Sequence, residues 1–378
     1  MKIAIVHDEL VRRGGAEQAT LRLHEAFPTA PIYTSCYNPQ NTYDEFKKCD
    51  IRPSWFSKFV KDEKWLKRLF YPFSIWAMRS INLREYDVVL ISTTNCAKYV
   101  NTNPENLFIA FCHYPFRLAW FPESYSEVVN SNGLKNRLYK FVINRLKKID
   151  YNAAQNIDWF ITNTPEISEK IKVCYNPRNE ISVIKSSIPC SNFFVSDTPR
   201  LDYYLVISRI EYYKKVDLVV DAFLKMPDKK VIIVGTGSKK RELQAKATSN
   251  IEFREGLSKN EIADLYANCK AFIFPQEEDY GLTPLEANAS GRPVIAYGKG
   301  GVTQTMIPYN GNNAKKCTAY FFYRQTSDCL IDGIKKMDMI DFDHTFIREH
   351  AETFDQDVFV NNIRKFVLEK YDLKENKE

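Results

Sequence analysis

Residues 271–301 read AFIFPQEEDYGLTPLEANASGRPVIAYGKGG, and this stretch decides the fold. Ala271–Pro275 is a short apolar run followed by turn chemistry, the pattern of a strand covered on both faces. Pro284–Ser290 has helical composition and stops at Gly291; Arg292–Pro293 restarts the chain, and Val294–Tyr297 is a second apolar strand. Gly298, Gly300 and Gly301 then lead into another helix. Strand, loop, helix and strand in this order make a βαβ unit, and ligands of open α/β sheets gather at the carboxyl ends of the strands. Glu278 lies in the loop after the first strand, and Glu286 lies within the first two turns of the helix. Between them Tyr280, Gly281, Leu282 and Thr283 offer backbone N–H groups at a helix N-terminus, which favours an anion. Acids beside anion-binding amides require a ligand with hydroxyls for the carboxylates and phosphate for the amides.

The chain before this stretch repeats the pattern. Tyr203–Ser208 is an apolar strand; Arg209 follows it, and Lys214 and Lys215 precede the helical run Val216–Phe223. Two cations at a strand end suit a diphosphate, as a guanidinium fork and an ammonium point charge. Lys230–Val234 runs into Gly235–Thr236–Gly237, but Lys240 stands where a dinucleotide fingerprint needs its third glycine. Ile251–Phe253 is a short strand, and Ser258 with Glu261 forms a capping box for a helix to Asn268. Ala319–Phe322 reads as a strand and Ser327–Met337 as a helix. The string Asp341–Phe342–Asp343 precedes a helical run, Thr345–Phe354, and reads as a helix cap rather than a metal site.

In the first half, Lys2–His7, Pro31–Ser35, Tyr86–Ser92, Leu107–Cys112, Trp159–Thr164 and Ile181–Ile184 read as strands, with polar loop after Pro31–Ser35. Gly14–Gly15 follows the first strand and opens a helix to about Phe27, which lets the backbone approach a ligand closely. His113 follows the strand 107–112 directly, in the zone where ligands gather, and His7 closes the first strand in the same zone. Residues 356–371 form a final amphipathic helix before a polar, frayed tail, LKENKE.

A chain of 378 residues is long enough for two cores, and 44% hydrophobic with 26% charged residues is ordinary for a globular protein. The net charge of +6 suits anionic substrates or an anionic membrane surface without demanding either. Nine scattered cysteines without a CxxC pair read as reduced thiols in a cytosolic compartment. MKIAIVHDEL is too short and too soon acidic for a signal peptide, and no apolar run approaches the ~20 residues of a spanning helix. Residues 55–84 interleave Trp55, Phe56, Phe59, Trp65, Leu69 and Phe70 with lysine and arginine, and Pro72 interrupts them. Leu134–Asp150 carries Lys135, Arg137, Lys140, Arg145, Lys147 and Lys148. Such stretches suit peripheral contact with an anionic membrane. No nucleic-acid motif accompanies them, so no nucleic-acid partner is expected.

The full string 271–301, with GLTPLEA and GRPVIAYGKGG, resembles the Glu–seven residues–Glu segment of the retaining glycosyltransferases of family four. That resemblance implies an α/β protein of the GT-B fold, two Rossmann-like domains facing across a deep cleft. It implies an acceptor-binding domain over 1–195, a nucleotide-sugar-binding domain over 196–345 and a C-terminal helix, 346–378, packing back on the first domain. By the same resemblance Glu278 faces the donor sugar and Glu286 bonds the ribose hydroxyls. Arg209, Lys214 and the amides of Gly281, Leu282 and Thr283 hold the diphosphate, while Gly14 and Gly15 approach the donor phosphate and sugar. CHYPFRLAWF (112–121) is similar to the family's Cys-His-x-Pro…Arg-x-x-Trp segment, which implies His113 at the sugar or reaction centre and Arg117 and Trp120 near the acceptor. One departure is Cys317–Thr318, where the family has a glycine before the strand 319–322.

The implied activity is retaining transfer from a nucleoside-diphosphate sugar to a hydroxyl of a saccharide or polyprenyl-linked acceptor, with no obligatory metal or other cofactor. SGRPVIAYGKGG resembles members that build bacterial surface polysaccharides, several of them mannosyltransferases, so GDP-mannose is the first expectation for the donor. The expected location is cytoplasmic, with a peripheral position on the inner face of the membrane. Two alternatives stay open: a sugar phosphorylase on the same fold, and a non-catalytic nucleotide-binding partner protein.

Overall fold

The computed structural model describes residues 1–60, 73–124 and 134–376. Trp65, Leu69, Phe70, Pro72 and the side chain of Lys135 lie outside the described residues. The chain divides into two compact units, one made of Met1–Ser186 with Phe359–Glu378, the other of Ser187–Val358.

The first unit holds a parallel sheet of seven strands: β1 (Ile3–His7), β2 (Ile32–Thr34), β3 (Ile51–Pro53), β4 (Val88–Thr93), β5 (Leu107–Cys112), β6 (Trp159–Thr162) and β7 (Ser182–Val183). Their order is β3-β2-β1-β4-β5-β6-β7, so the sheet reverses direction of growth between β1 and β4. β4 and β5 are buried along their whole length, which their unbroken apolar sequences foretell for strands covered on both faces. One core packs beneath helices that include Leu134–Ala154 and Pro165–Tyr175, the other beneath Gly15–Ala26 and the C-terminal helix. The register of β1 on β4 sets His7 opposite Ser92, and that of β4 on β5 sets Thr93 opposite Cys112. This levels the carboxyl ends of three strands.

The C-terminal helix, Gln356–Glu375, belongs to the first unit from Phe359 onward. Phe359 meets Phe111 edge-on at 5.6 Å, Phe366 meets Trp159 at 6.4 Å, and Arg364 Nε donates to the Ala26 carbonyl at 3.2 Å. The sequence pattern ends this helix at 371 and frays the tail beyond it, yet the helix continues to Glu375. Lys374 accounts for the extra turn: its Nζ donates to the carbonyls of Pro104 and Asn106 at 2.8 and 2.7 Å. β3 is the other departure. Ile51–Pro53 lies in what reads as polar loop, and a short edge strand needs neither alternation nor freedom from proline.

The second unit holds six parallel strands: β8 (Tyr203–Ile207), β9 (Lys230–Val234), β10 (Ile251–Arg254), β11 (Ala271–Phe274), β12 (Val294–Tyr297) and β13 (Ala319–Phe322). Their order is β10-β9-β8-β11-β12-β13, with the reversal between β8 and β11. Helix signals in the sequence act as read. Ser258 and Glu261 form the capping box, and Asp343 caps the helix His344–Glu352 by accepting from Thr345 N at 2.9 Å and Phe346 N at 3.0 Å. Asp341, the other acid of the DxD string, pairs with Lys315 at 2.5 Å.

Candidate active site

Ligand-binding crevices of open α/β sheets form at the reversal of strand order. In the second unit that point lies between β8 and β11, and the predicted residues flank it. β8 is followed by Arg209 and a tight helical turn, Tyr212–Lys214, before the helix Val216–Leu224. β11 is followed by the loop that carries Gln276, Glu278 and Gly281. The Lys214 ammonium meets Glu278 Oε1, and Gln276 Nε2 donates to the same oxygen at 2.9 Å. The structure therefore brings Lys214 and Glu278 into one ion pair, with the two side chains 13% and 27% exposed. Arg209 is exposed, with its guanidinium 5.9 Å from the Tyr213 ring; Lys214 Nζ lies 5.3 Å from the same ring. Lys215 Nζ lies instead over Tyr212, at 4.4 Å.

The glycines of the signature shape this loop. Gly301 N donates to the Glu278 carbonyl at 2.8 Å. A Cβ on Gly300 would come 2.4 Å from that carbonyl oxygen, and one on Gly301 would come 2.3 Å from Tyr280 Cα. The glycines after β12 thus hold the Glu278 loop in place as well as starting the turn Val302–Thr305. Gly281 takes a left-handed φ of 85° and immediately precedes the helix Leu282–Ala289. Leu282 and Thr283 are its first residues, so their N–H groups lack partners within the helix. Glu286, half-buried on the same helix, accepts from Tyr266 OH at 2.8 Å. Burial pushes the Glu286 carboxyl above its usual range, and the Tyr266 bond opposes this. Tyr266 is itself fixed edge-on to Phe193 at 5.7 Å and tilted against Phe272 at 5.5 Å. Cations after β8, with helix-end amides and two held carboxylates on the loop and helix after β11, can take up an anion flanked by hydroxyls.

In the first unit the reversal lies between β1 and β4, and a buried polar network fills it. Gly14 precedes the helix Gly15–Ala26, and a Cβ there would come 2.6 Å from Glu17 Oε2. Gly14 is small because Glu17 folds back beneath it. Arg12 Nε donates to Glu17 at 3.1 Å and its Nη2 to Glu9 at 2.7 Å. His7 Nε2 stands 3.9 Å from Glu17 Oε1, and His7 Nδ1 stands 3.0 Å from the Ser92 carbonyl. Burial alone would lower the His7 pKa, but Glu17, with Asp8 and Glu9, more than offsets it, and the pKa is raised. Glu9 is pushed up to about 7, chiefly by burial, with Arg12 opposing.

His113 sits at the end of β5 with Nε2 2.9 Å from Ser92 Oγ. Burial first, and then the neighbouring His7 charge, lowers its pKa to about 4, so the ring is neutral at ordinary pH. A neutral imidazole at a strand end can hydrogen-bond a ligand without repelling a cationic centre. Asp8, next to His7, receives bonds from Thr93 Oγ1, Thr94 N, Thr94 Oγ1, Asn95 N, Cys96 N and Ala97 N, all within 2.6–3.0 Å. Burial works to raise its pKa, but the His7 charge and the amides prevail and hold it low. Asp8 thereby ties the turn after β4 to β1.

Trp120 and Arg117 are both held by contacts within the first unit. Trp120 donates its indole N–H to buried Asp150 at 2.8 Å, as do Lys98, Tyr99 and Tyr175 with their polar atoms at the same distance. Its polar handle is therefore committed inside the unit. Arg117 is exposed and rests over the Tyr114 ring at 4.0 Å. The sequence reading missed Asp8, Glu9, Glu17 and Ser92. Their signal was present only as acids immediately after β1 and a serine near the end of β4.

Two parallel-sheet Rossmann-like units, each with its ligand-competent groups where strand order reverses, have the architecture of the GT-B fold. Solved structures agree on the fold. Sucrose-phosphate synthase from Thermosynechococcus elongatus matches at a TM-score of 0.72 and 14% identity over 99% of this chain and 100% of that one. HepE from Anabaena, solved in complex with UDP, matches at 0.69 and 15% over 98% and 100%. Residues 194–338 match the family model described as glycosyl transferases group 1, and this match together with the mannosyltransferase relatives supports a glycosyltransferase. Among its relatives, the alpha-1,3/1,6-mannosyltransferase ALG2 of Candida glabrata is 24% identical over 84% of this chain and 80% of its own length. ALG2 of Dictyostelium discoideum is also 24% identical, over 81% and 84%.

Proposed function

We propose that this glycosyltransferase moves a mannosyl group, with retention, from GDP-mannose to a hydroxyl of a saccharide or lipid-linked saccharide acceptor. The observation that carries the reading is the Lys214–Glu278 pair at the β8/β11 reversal, beside the helix-end amides of Leu282 and Thr283. Arg209, Lys214 and those amides meet the diphosphate, whose charge grows as the sugar leaves. They stabilise the transition state more than the ground state. Glu278 then exchanges Lys214 for a sugar hydroxyl, and Glu286 holds the ribose. His113, with Gly14 and Gly15 on the same unit, meets the sugar. The second unit is thus the donor-binding domain and the first the acceptor-binding domain, completed by the C-terminal helix.

Mannose is favoured over other sugars by the ALG2 relatives, which are mannosyltransferases by name. A nucleoside-diphosphate donor is favoured by the UDP and UDP-glucose complexes among the solved structures of this fold. A site on the inner face of a membrane is supported by exposed Trp55, Phe59, Trp76 and Phe141. No helix among the described residues is long and apolar enough to cross a bilayer. The deciding experiment is a panel of nucleotide-sugars scored for hydrolysis and transfer with the full chain. GDP-mannose turning over fastest, with the anomeric configuration of the product unchanged, supports the reading. Turnover confined to another donor, or inversion, overturns it.

A further inference from the structure

Ser92 lies at the end of β4 and is fully buried. Its Oγ stands 2.9 Å from His113 Nε2, 3.0 Å from Thr20 Oγ1 and 3.2 Å from His7 Nδ1. Thr20 Oγ1 in turn lies 2.9 Å from His7 Nδ1. The Ser92 carbonyl can only accept, so its 3.0 Å contact fixes a proton on His7 Nδ1. His7 Nε2 then faces Glu17, which is clamped by Arg12 at the mouth of the glycine loop. Thr20, on the helix that starts at Gly15, is also fully buried. Water therefore does not compete for these contacts, and a single hydroxyl joins both histidines. Among the described residues the His113 ring makes no other hydrogen bond, and it lies 4.9 Å from the Phe111 ring.

We infer that Ser92 is a positioning residue for His113: it occupies Nε2, leaves Nδ1 as the ring atom a ligand meets, and ties the imidazole to His7 and the Arg12–Glu17 pair. This rests on the reading that His113 faces the transferred sugar. The bridge has a consequence beyond holding a ring. The glycine-loop helix, through Thr20, and the His113 strand end share one hydroxyl, so a ligand that turns the His113 ring also disturbs the loop helix.

The test uses the full chain with nitrogen-15 in its five histidines, followed by NMR of the imidazoles without donor. Ser92→Ala is expected to move the His113 and His7 signals together and leave His24, His344 and His350 in place. Thr20→Val removes one arm of the bridge and is expected to move the same two signals less; it carries the test should Ser92→Ala not fold. In transfer assays Ser92→Ala is expected to lower kcat about tenfold, the scale of one buried hydrogen bond, with donor KM within about twofold. On a His113→Ala background the same change is expected to cost less than about twofold, because residues acting through one another are not additive. A His113 signal unmoved by Ser92→Ala, or an equal loss of transfer with and without His113, overturns the inference. Full transfer by His113→Ala alone would instead overturn the sugar-facing reading, while the NMR result still decides whether the bridge exists.

Discussion

The strand-order reversals of the two units are built for opposite tasks. In the first unit the reversal is dry: His7, Asp8, Glu9 and Glu17 are each no more than 2% exposed, and their charges answer one another. In the second unit it is open: Arg209 is exposed, Lys214 and Glu278 are half-buried, and backbone amides stand at a helix start. A sealed network holds protons at chosen atoms. An open cationic end admits an anion and can release it again. The same fold thus holds a ring in one place and leaves a cationic end open in the other, and the difference lies in how much water each strand end keeps.

The largest effect should come from breaking the open site. Lys214→Ala is expected to lower kcat/KM for the donor by about 10²–10³, the scale for removing one charged contact to a leaving group. Steady-state kinetics will check it, and near-normal transfer would end the proposal for the second unit. Removing residues 359–378 attacks the other side. It uncovers Phe111 and Trp159, and the first unit is expected to lose its cooperative melting transition, read by calorimetry.

A smaller and opposite effect tests the dryness of the first site. Glu9 has a folded pKa of about 7, above its usual value, so it favours the fold while protonated and costs stability as pH rises through 7. Glu9→Gln should therefore raise Tm at pH 8 and leave it nearly unchanged at pH 5. Equal shifts at both values would mean that the carboxyl is not held dry. The smallest effect should follow Tyr266→Phe, which frees Glu286 from one hydrogen bond. Donor affinity measured by calorimetry is expected to fall about threefold to tenfold.

The contrast also explains what the sequence discloses. The strand, helix and loop order of 271–301 is legible because glycines and helix starts at fixed offsets are local features. The placement of Arg209 and Lys214 after β8 is legible for the same reason. Ser92 is not, since a serine near a strand end looks like ordinary turn chemistry. Only the register of β1, β4 and β5 sets it beside two histidines some twenty and eighty-five positions away. The Trp120 contact is hidden in the same way: the motif around it is local, but its partner Asp150 is on a helix further along the chain. β3 escaped because three residues at a sheet edge carry too little pattern to separate from loop.

The last helix carries a lesson about synthesis. The unit that leaves the ribosome first keeps an apolar face bare until Phe359, Phe366 and their neighbours emerge. Its core closes only after the whole intervening unit has been made, so a stalled or shortened chain presents that bare face to chaperones and proteases, whatever the state of the other half.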